Sequence, residues 1–279
     1  MRSPSSLRRR ARPGLGTLVD ISLIEPSEAR AAAAFDAAFG AVAAIERLMS
    51  AHDPASELNR LCGQAHLAPM RVHADTAEVL RLARVVHRES EGVFDVAVGR
   101  QMAAAGLLPA LAADAATSGR GTTADIVHCA DGRISFARPM RLDLGGVAKG
   151  HAVDCAIRAL QRLGIEDALV NAGGDMRAIG KISHPIDLRF ASGVRTVAML
   201  QDGALASSCH ADRALGSPSP HVDPRSSQAV NSRATVVVQA ASAAVADALT
   251  KVALIAPARA GRACRAMRAE WRAFDYFSR

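Results

Sequence analysis

Aromatic residues make up only 3% of this 279-residue chain, which has one Trp and one Tyr. Stacking platforms for single-stranded nucleic acid are correspondingly scarce. Cysteine is sparse and odd in number: Cys62, Cys129, Cys155, Cys209 and Cys264 are far apart, and no two form a CxxC pair. That spacing argues against a zinc ribbon or a disulfide framework and for reduced thiols. No apolar run approaches the roughly 18 residues that a bilayer-spanning helix needs. The basic N-terminus leads into no apolar signal core, and no lipobox-like cysteine lies near it, so a cytoplasmic location is expected.

Basic charge is missing from the body of the chain. The net charge is +7, but residues 1–13 carry five Arg and no acid, and residues 257–279 carry six Arg against Glu270 and Asp275. The stretch between them is slightly acidic, so no basic contact face for nucleic acid is expected. Residues 1–13 read as a basic flexible arm able to touch an anionic membrane surface, and residues 257–279 as a basic tail. With 49% hydrophobic and 22% charged residues, the chain is not disordered. Residues 14–256 read as one domain.

Within that domain, Val19, Ile21 and Leu23 alternate with Asp20 and Ser22, which predicts a half-buried strand. Ser27 is placed to cap an Ala-rich helix reaching Ser50. Asp75–Ser90 carries an apolar stripe at helical spacing and stops at Gly92. Residues 104–126 read as a short helix and a loop. From about residue 133, short strands surround one helix, Lys149–Leu163: a pair at Arg133–Phe136 and Met140–Leu144, then Asp167–Asn171, Met176–Ile179, Ile186–Phe190 and Thr196–Leu200. A Ser/Pro-rich loop over 209–230 precedes strand Ala234–Gln239 and helix Ser242–Ile255. There is no regular βαβ repeat, so the class is α+β.

The segments with chemical content are short. In DLGGVAKGHAVD (143–154), Asp143 comes off a strand, two glycines follow, and Lys149 stands at a helix start. Such a turn fits phosphate, because glycine lets backbone N–H groups approach an anion and a helix N-terminus favours it. It equally fits a plain structural turn, and it is neither a Walker A nor a GxGxxG pattern. NAGGD (171–175) is a second glycine pair before an acid, readable as a hairpin turn or as a contact to a ribose or flavin edge. Phe94 and Asp95 follow a helix in EGVFDVAVG, and Ser56 and Glu57 fit a helix cap. Asp247 and Thr250 share one helix face, an oxygen pair that suits a hard cation or simply a polar surface.

Taken in order, MSAHDPASELNRL, EGVFDVAVG, RLDLGGVAKGHAVD, ALVNAGGDMRAIG, ALASS, HVDPR and AVADALTKVAL resemble the successive motifs of the ApbE family, the FAD:protein FMN transferases. The resemblance implies an ApbE-like (T-fold-like) architecture of mixed sheets with packed helices. It also implies an activity: Mg²⁺-dependent transfer of the FMN half of FAD to a Thr or Ser hydroxyl of an acceptor protein, releasing AMP. By the same resemblance Met49, Val93, Phe94, Asp95, Asp143, Lys149 and Val222 would contact the nucleotide, and Gly146, Asp247 and Thr250 would hold Mg²⁺. His221 and Asp223 would be catalytic. Pro220 stands where the family commonly has His, so either His221 reaches that spot or the acid/base group is missing. Lys251 replaces a family Thr or Ser, and an ammonium cannot ligate a metal. An FAD-binding protein without transfer and an FAD pyrophosphatase are the alternative functions.

Overall fold

The computed structural model describes residues 7–110, 121–209 and 219–275. In chain order, the elements begin with β1 (Leu7–Gly14), β2 (Thr17–Ile24), α1 (Glu28–Met49), α2 (Glu57–Gln64), α3 (Ala74–Glu89) and α4 (Gly99–Ala104). Then come β3 (Ile126–His128), β4 (Ile134–Phe136), α5 (Ala148–Arg162), β5 (Ala168–Ala172), β6 (Asp175–Ile179), β7 (His184–Phe190) and β8 (Gly193–Leu200). The last are β9 (Gly203–Cys209), β10 (Val222–Asp223), β11 (Gln228–Ala229), β12 (Ala234–Ala240), α6 (Ala243–Ile255), α7 (Pro257–Ala266) and β13 (Glu270–Asp275).

Seven strands form one antiparallel sheet in the order β1-β2-β5-β6-β9-β12-β13. Val19, Ile21 and Leu23 of β2 point to one face, as their alternation predicts, and are buried beneath α1 and α5. The Ser27 hydroxyl accepts from the Arg30 amide and starts α1, whose Ala31, Ala34, Phe35, Ala38 and Val42 recur at helical spacing toward that core. On the opposite face, Met176, Leu205 and Val237 of the sheet pack with Ile186 and Leu200 of the β7–β8 hairpin. Helices and antiparallel strands in these layers make the chain α+β.

Leu7–Gly14 and Glu270–Asp275 are strands of the sheet, which corrects the expectation of an arm and a tail for the described residues. β1 is an edge strand joined to β2 through Leu15 and Gly16, both at positive φ, as a two-residue hairpin turn requires. Arg9 pairs with Asp20 and Arg12 with Asp36, and Arg10 and Arg12 lie over the Phe35 and Phe39 rings. The stretch lacks apolar alternation because an edge strand is held by its ladder and by charge, and charged edges also resist unwanted pairing. At the other edge, Pro257 opens α7 and β13 pairs with β12, so the domain extends past 256. Residues 1–6 and 276–279 of the expected arm and tail lie outside the described residues.

A second correction concerns Met140–Leu144, which is not a strand; β4 pairs with β3 instead. The segment stays irregular because it is held by the chain around 96–99: the Asp143 amide donates to the Val96 carbonyl at 2.8 Å, and the Gly99 amide to the Arg141 carbonyl at 3.0 Å. The stretch 104–126 begins where α4 ends, and its described part holds only a 3-10 turn at Thr123–Asp125; residues 111–120 lie outside the described residues, as do 210–218.

Candidate active site

Three segments far apart in sequence converge at the start of α5. Buried Leu142 and Leu144 anchor the irregular approach, and Asp143 Oδ1 accepts from the Gly145 amide at 2.9 Å, closing the turn. Lys149, in the first turn of α5, reaches back to the Gly145 carbonyl at 3.3 Å. Its ammonium also lies 2.9 Å from Asp175 Oδ2 and 3.5 Å from Asp247 Oδ2. Asp175 is delivered by the β5–β6 hairpin, whose Gly173 and Gly174 have φ of +62° and +101°, values that favour glycine.

Helices α5 and α6 approach so closely that Gly150 has no room for a side chain: an added Cβ would stand 2.3 Å from the Ala243 carbonyl oxygen. That approach lets the Gly150 amide donate to Asp247 Oδ2 at 3.2 Å. It is fastened one turn further along α5, where Asp154 accepts from the Ala243 and Ala244 amides at 3.0 Å each and pairs with Arg177 at 2.7 Å. Asp154 therefore caps the N-terminus of the helix that carries Asp247.

Asp247 is fully buried, and Lys251 Nζ pairs with its Oδ1. The same ammonium lies 3.1 Å from Ser208 Oγ and 3.1 Å from Thr250 Oγ1. Burial alone would raise the Asp247 pKa, but the Lys149 and Lys251 charges outweigh it and hold the carboxylate below its ordinary range. Lys149 is likewise held protonated beyond the usual lysine range: burial works against its charge, and Asp247 and Asp175 overcome that. Asp175, buried and facing the Asp247 charge, is pushed up to about 6. Burial also raises Asp143, against the Gly145 amide and the charges of His52, Lys149 and Arg141.

These groups border a cleft of about 450 Å³. Of the residues singled out in the sequence, Val93, Phe94, Asp95, Asp143, Gly146, Lys149, His221 and Val222 line it. Asp247 and Thr250 lie beneath the lining, reached through Lys149 and Lys251. Two further expected residues do not line the cleft either. Met49 is buried in the core at the end of α1, where the helix period carries it inward. Asp223 is turned onto Arg225, which donates to both carboxylate oxygens at 3.0 and 2.8 Å. Asp95 serves the scaffold as well as the wall: its Oδ1 accepts from Ala97 and Thr123 amides and the Thr123 hydroxyl. Asp175, Lys251, Ser207 and Ser208 are cleft residues that sequence reasoning left unassigned, although NAGGD and ALASS carried the signal.

Gly146, Asp247 and Thr250 offer the oxygen donors that Mg²⁺ prefers. As they stand they do not fit it. Both Asp247 oxygens already face ammonium groups, and the Thr250 hydroxyl donates to the Asp247 carbonyl at 2.6 Å. Outside the cleft lining, Asp75, His151 and Cys155 bring metal-type ligand atoms within 4.8 Å of one another. There the Arg158 guanidinium is set among them, 3.0 Å from the Cys155 sulfur and 3.5 Å from Asp75 Oδ1, and burial raises the thiol pKa to about 12.

Known proteins share this architecture. The solved flavin transferase ApbE from Vibrio cholerae superposes with a TM-score of 0.81 over 96% of this chain and 93% of its own, at 24% identity, a likeness of fold. A curated FAD:protein FMN transferase from Rhodobacter capsulatus is 34% identical over 113 residues, 37% of this chain and 22% of that protein. One of the same name from Haemophilus influenzae is 30% identical over 146 residues, 48% of this chain and 42% of that protein. The chain thus spans less than half the length of either curated relative. The sequence profile of the ApbE family matches residues 15–273, nearly the whole chain: this protein belongs to the ApbE family.

Proposed function

We propose that this chain transfers the FMN half of FAD to a Thr or Ser hydroxyl of an acceptor protein and releases AMP. The observation that carries the reading is that apolar and charged groups border the same cleft: Val93, Phe94 and Val222 offer it apolar surface suited to a flavin ring. Gly145, Gly146 and the two lysines, in the same lining, offer it small residues and positive charge suited to a diphosphate.

In this reading the acceptor hydroxyl oxygen attacks the FMN-side phosphorus as the bond to the bridging oxygen breaks. AMP leaves with that oxygen, and the hydroxyl proton passes to the His221 imidazole on the cleft wall. Lys149 and Lys251 offset charge on the phosphate oxygens, and the glycine turn lets the diphosphate approach the backbone. Asp223, held by Arg225, orients the loop that carries His221 and takes no proton.

The test is to incubate the full chain with FAD and a Thr-containing acceptor, then analyse by mass spectrometry. Acceptor carrying covalent FMN, with stoichiometric AMP, is expected. Free FMN and AMP without acceptor labelling would instead make the chain a pyrophosphatase, and bound but unreacted FAD would make it a flavin-binding protein.

A further inference from the structure

Three oxygens face one positive charge at the base of the cleft. They are Asp247 Oδ1, Ser208 Oγ and Thr250 Oγ1, and the charge is the Lys251 ammonium. A carboxylate and two hydroxyls are the donor types that a hard divalent cation gathers. The lysine is built into this place. Its stem runs past Gly146, where an added Cβ would meet Lys251 Cγ at 3.5 Å and Cε at 3.6 Å. Its side chain is only 13% exposed. A divalent ion bound to Asp247 would stand beside this ammonium and the one on Lys149, and like charges at such range oppose each other strongly when screened from water.

We propose that the Lys251 ammonium is the resident cation of this site, occupying the place of a divalent ion, so that the chain binds FAD and turns it over without divalent metal. The inference rests on the function proposed above and sets its regulation: the site is indifferent to chelators and to Mg²⁺ supply. An ammonium brings one positive charge where a divalent ion brings two. With all four groups ionised, Lys149, Lys251, Asp175 and Asp247 together are neutral.

Mn²⁺ binding to the purified full chain, followed by electron paramagnetic resonance with and without FAD, tests this directly. Wild-type protein should show no tight Mn²⁺ site in either state. Lys251→Thr should gain one site per chain, with affinity raised about tenfold or more, because a unit charge has left the ion's surroundings. Adding Asp247→Asn to that variant should remove the site. Lys251→Gln, closer in length, provides the same readout should the threonine variant fail to fold by circular dichroism. In parallel, flavin fluorescence should give a wild-type FAD affinity unmoved by EDTA. The Lys251→Thr affinity should fall in EDTA and recover with Mg²⁺.

One Mn²⁺ per wild-type chain that is lost on Asp247→Asn overturns the proposal, and so do folded Lys251 variants that bind none. Absence of FAD binding under every condition would refute the proposed function instead, and the nucleotide-free Mn²⁺ titration would still decide which cation the cradle holds.

Discussion

Replacing Gly150 by alanine places a methyl carbon 2.3 Å from the Ala243 carbonyl oxygen, 2.5 Å from its carbon and 2.8 Å from Ala244 Cα. All three are backbone atoms at the capped start of α6, so no side chain can swing away to make room. Relieving the overlap requires α5 and α6 to separate by roughly 1 Å, and overpacking of this kind costs about 1–3 kcal/mol or somewhat more. The separation also stretches the Gly150 amide bond to Asp247, a hydrogen bond to a buried charge and so worth about 1.5–3 kcal/mol. Alanine's better helix propensity returns at most about 1 kcal/mol. The net loss is about 2–5 kcal/mol, which for a domain of this size lowers Tm by roughly 5–15 °C.

Calorimetry and circular dichroism melts measure that loss, and Gly40→Ala is the control. Gly40 also lies within a helix, but an added Cβ there meets nothing within 4 Å, so alanine should stabilise slightly. A Gly150→Ala protein that melts at or above the wild-type temperature would refute the close-packing argument. A protein that melts low yet keeps full FMN transfer would refute the link between that packing and the Asp247 site.

Asp154→Ala leaves the Ala243 and Ala244 amides and Arg177 without their buried carboxylate, and should cost roughly 3–5 kcal/mol in urea denaturation. Asp154→Asn should recover part of it, and a loss under about 1 kcal/mol for alanine would remove Asp154 from its capping role. His221→Ala should slow transfer by roughly 10²–10⁴-fold with FAD affinity little changed, and an unaltered rate would exclude His221 as the base. Asp175 also makes stability depend on pH. Its folded pKa of about 6 exceeds the ordinary 3.8, so the folded chain holds that proton more tightly than the unfolded chain. The resulting stability is complete below about pH 4 and is lost as pH rises through 6, by up to about 3 kcal/mol. Asp175→Asn should flatten that slope in denaturation curves, and identical slopes in the two proteins would contradict the assignment.

Local pattern made much of this molecule legible in advance. Helix α1 followed from Ser27 and an Ala-rich run, α3 from an apolar stripe, β2 from strict alternation, and the hairpin after Asn171 from paired glycines, because caps, period and positive φ are properties of a few neighbouring residues. The order of motifs led to the family and to some of the residues that line the cleft. What only the tertiary structure decided depends on partners distant in sequence. The Arg-rich ends became the two edges of one sheet because β2 and β12 supplied ladders that no composition reveals. Met49 went to the core and Asp223 to Arg225. Asp175 and Lys251 joined Lys149 and Asp247 because β6, α5 and α6 meet where Gly150 permits, and the charge on a buried group depends on such neighbours rather than on the residues beside it in the chain.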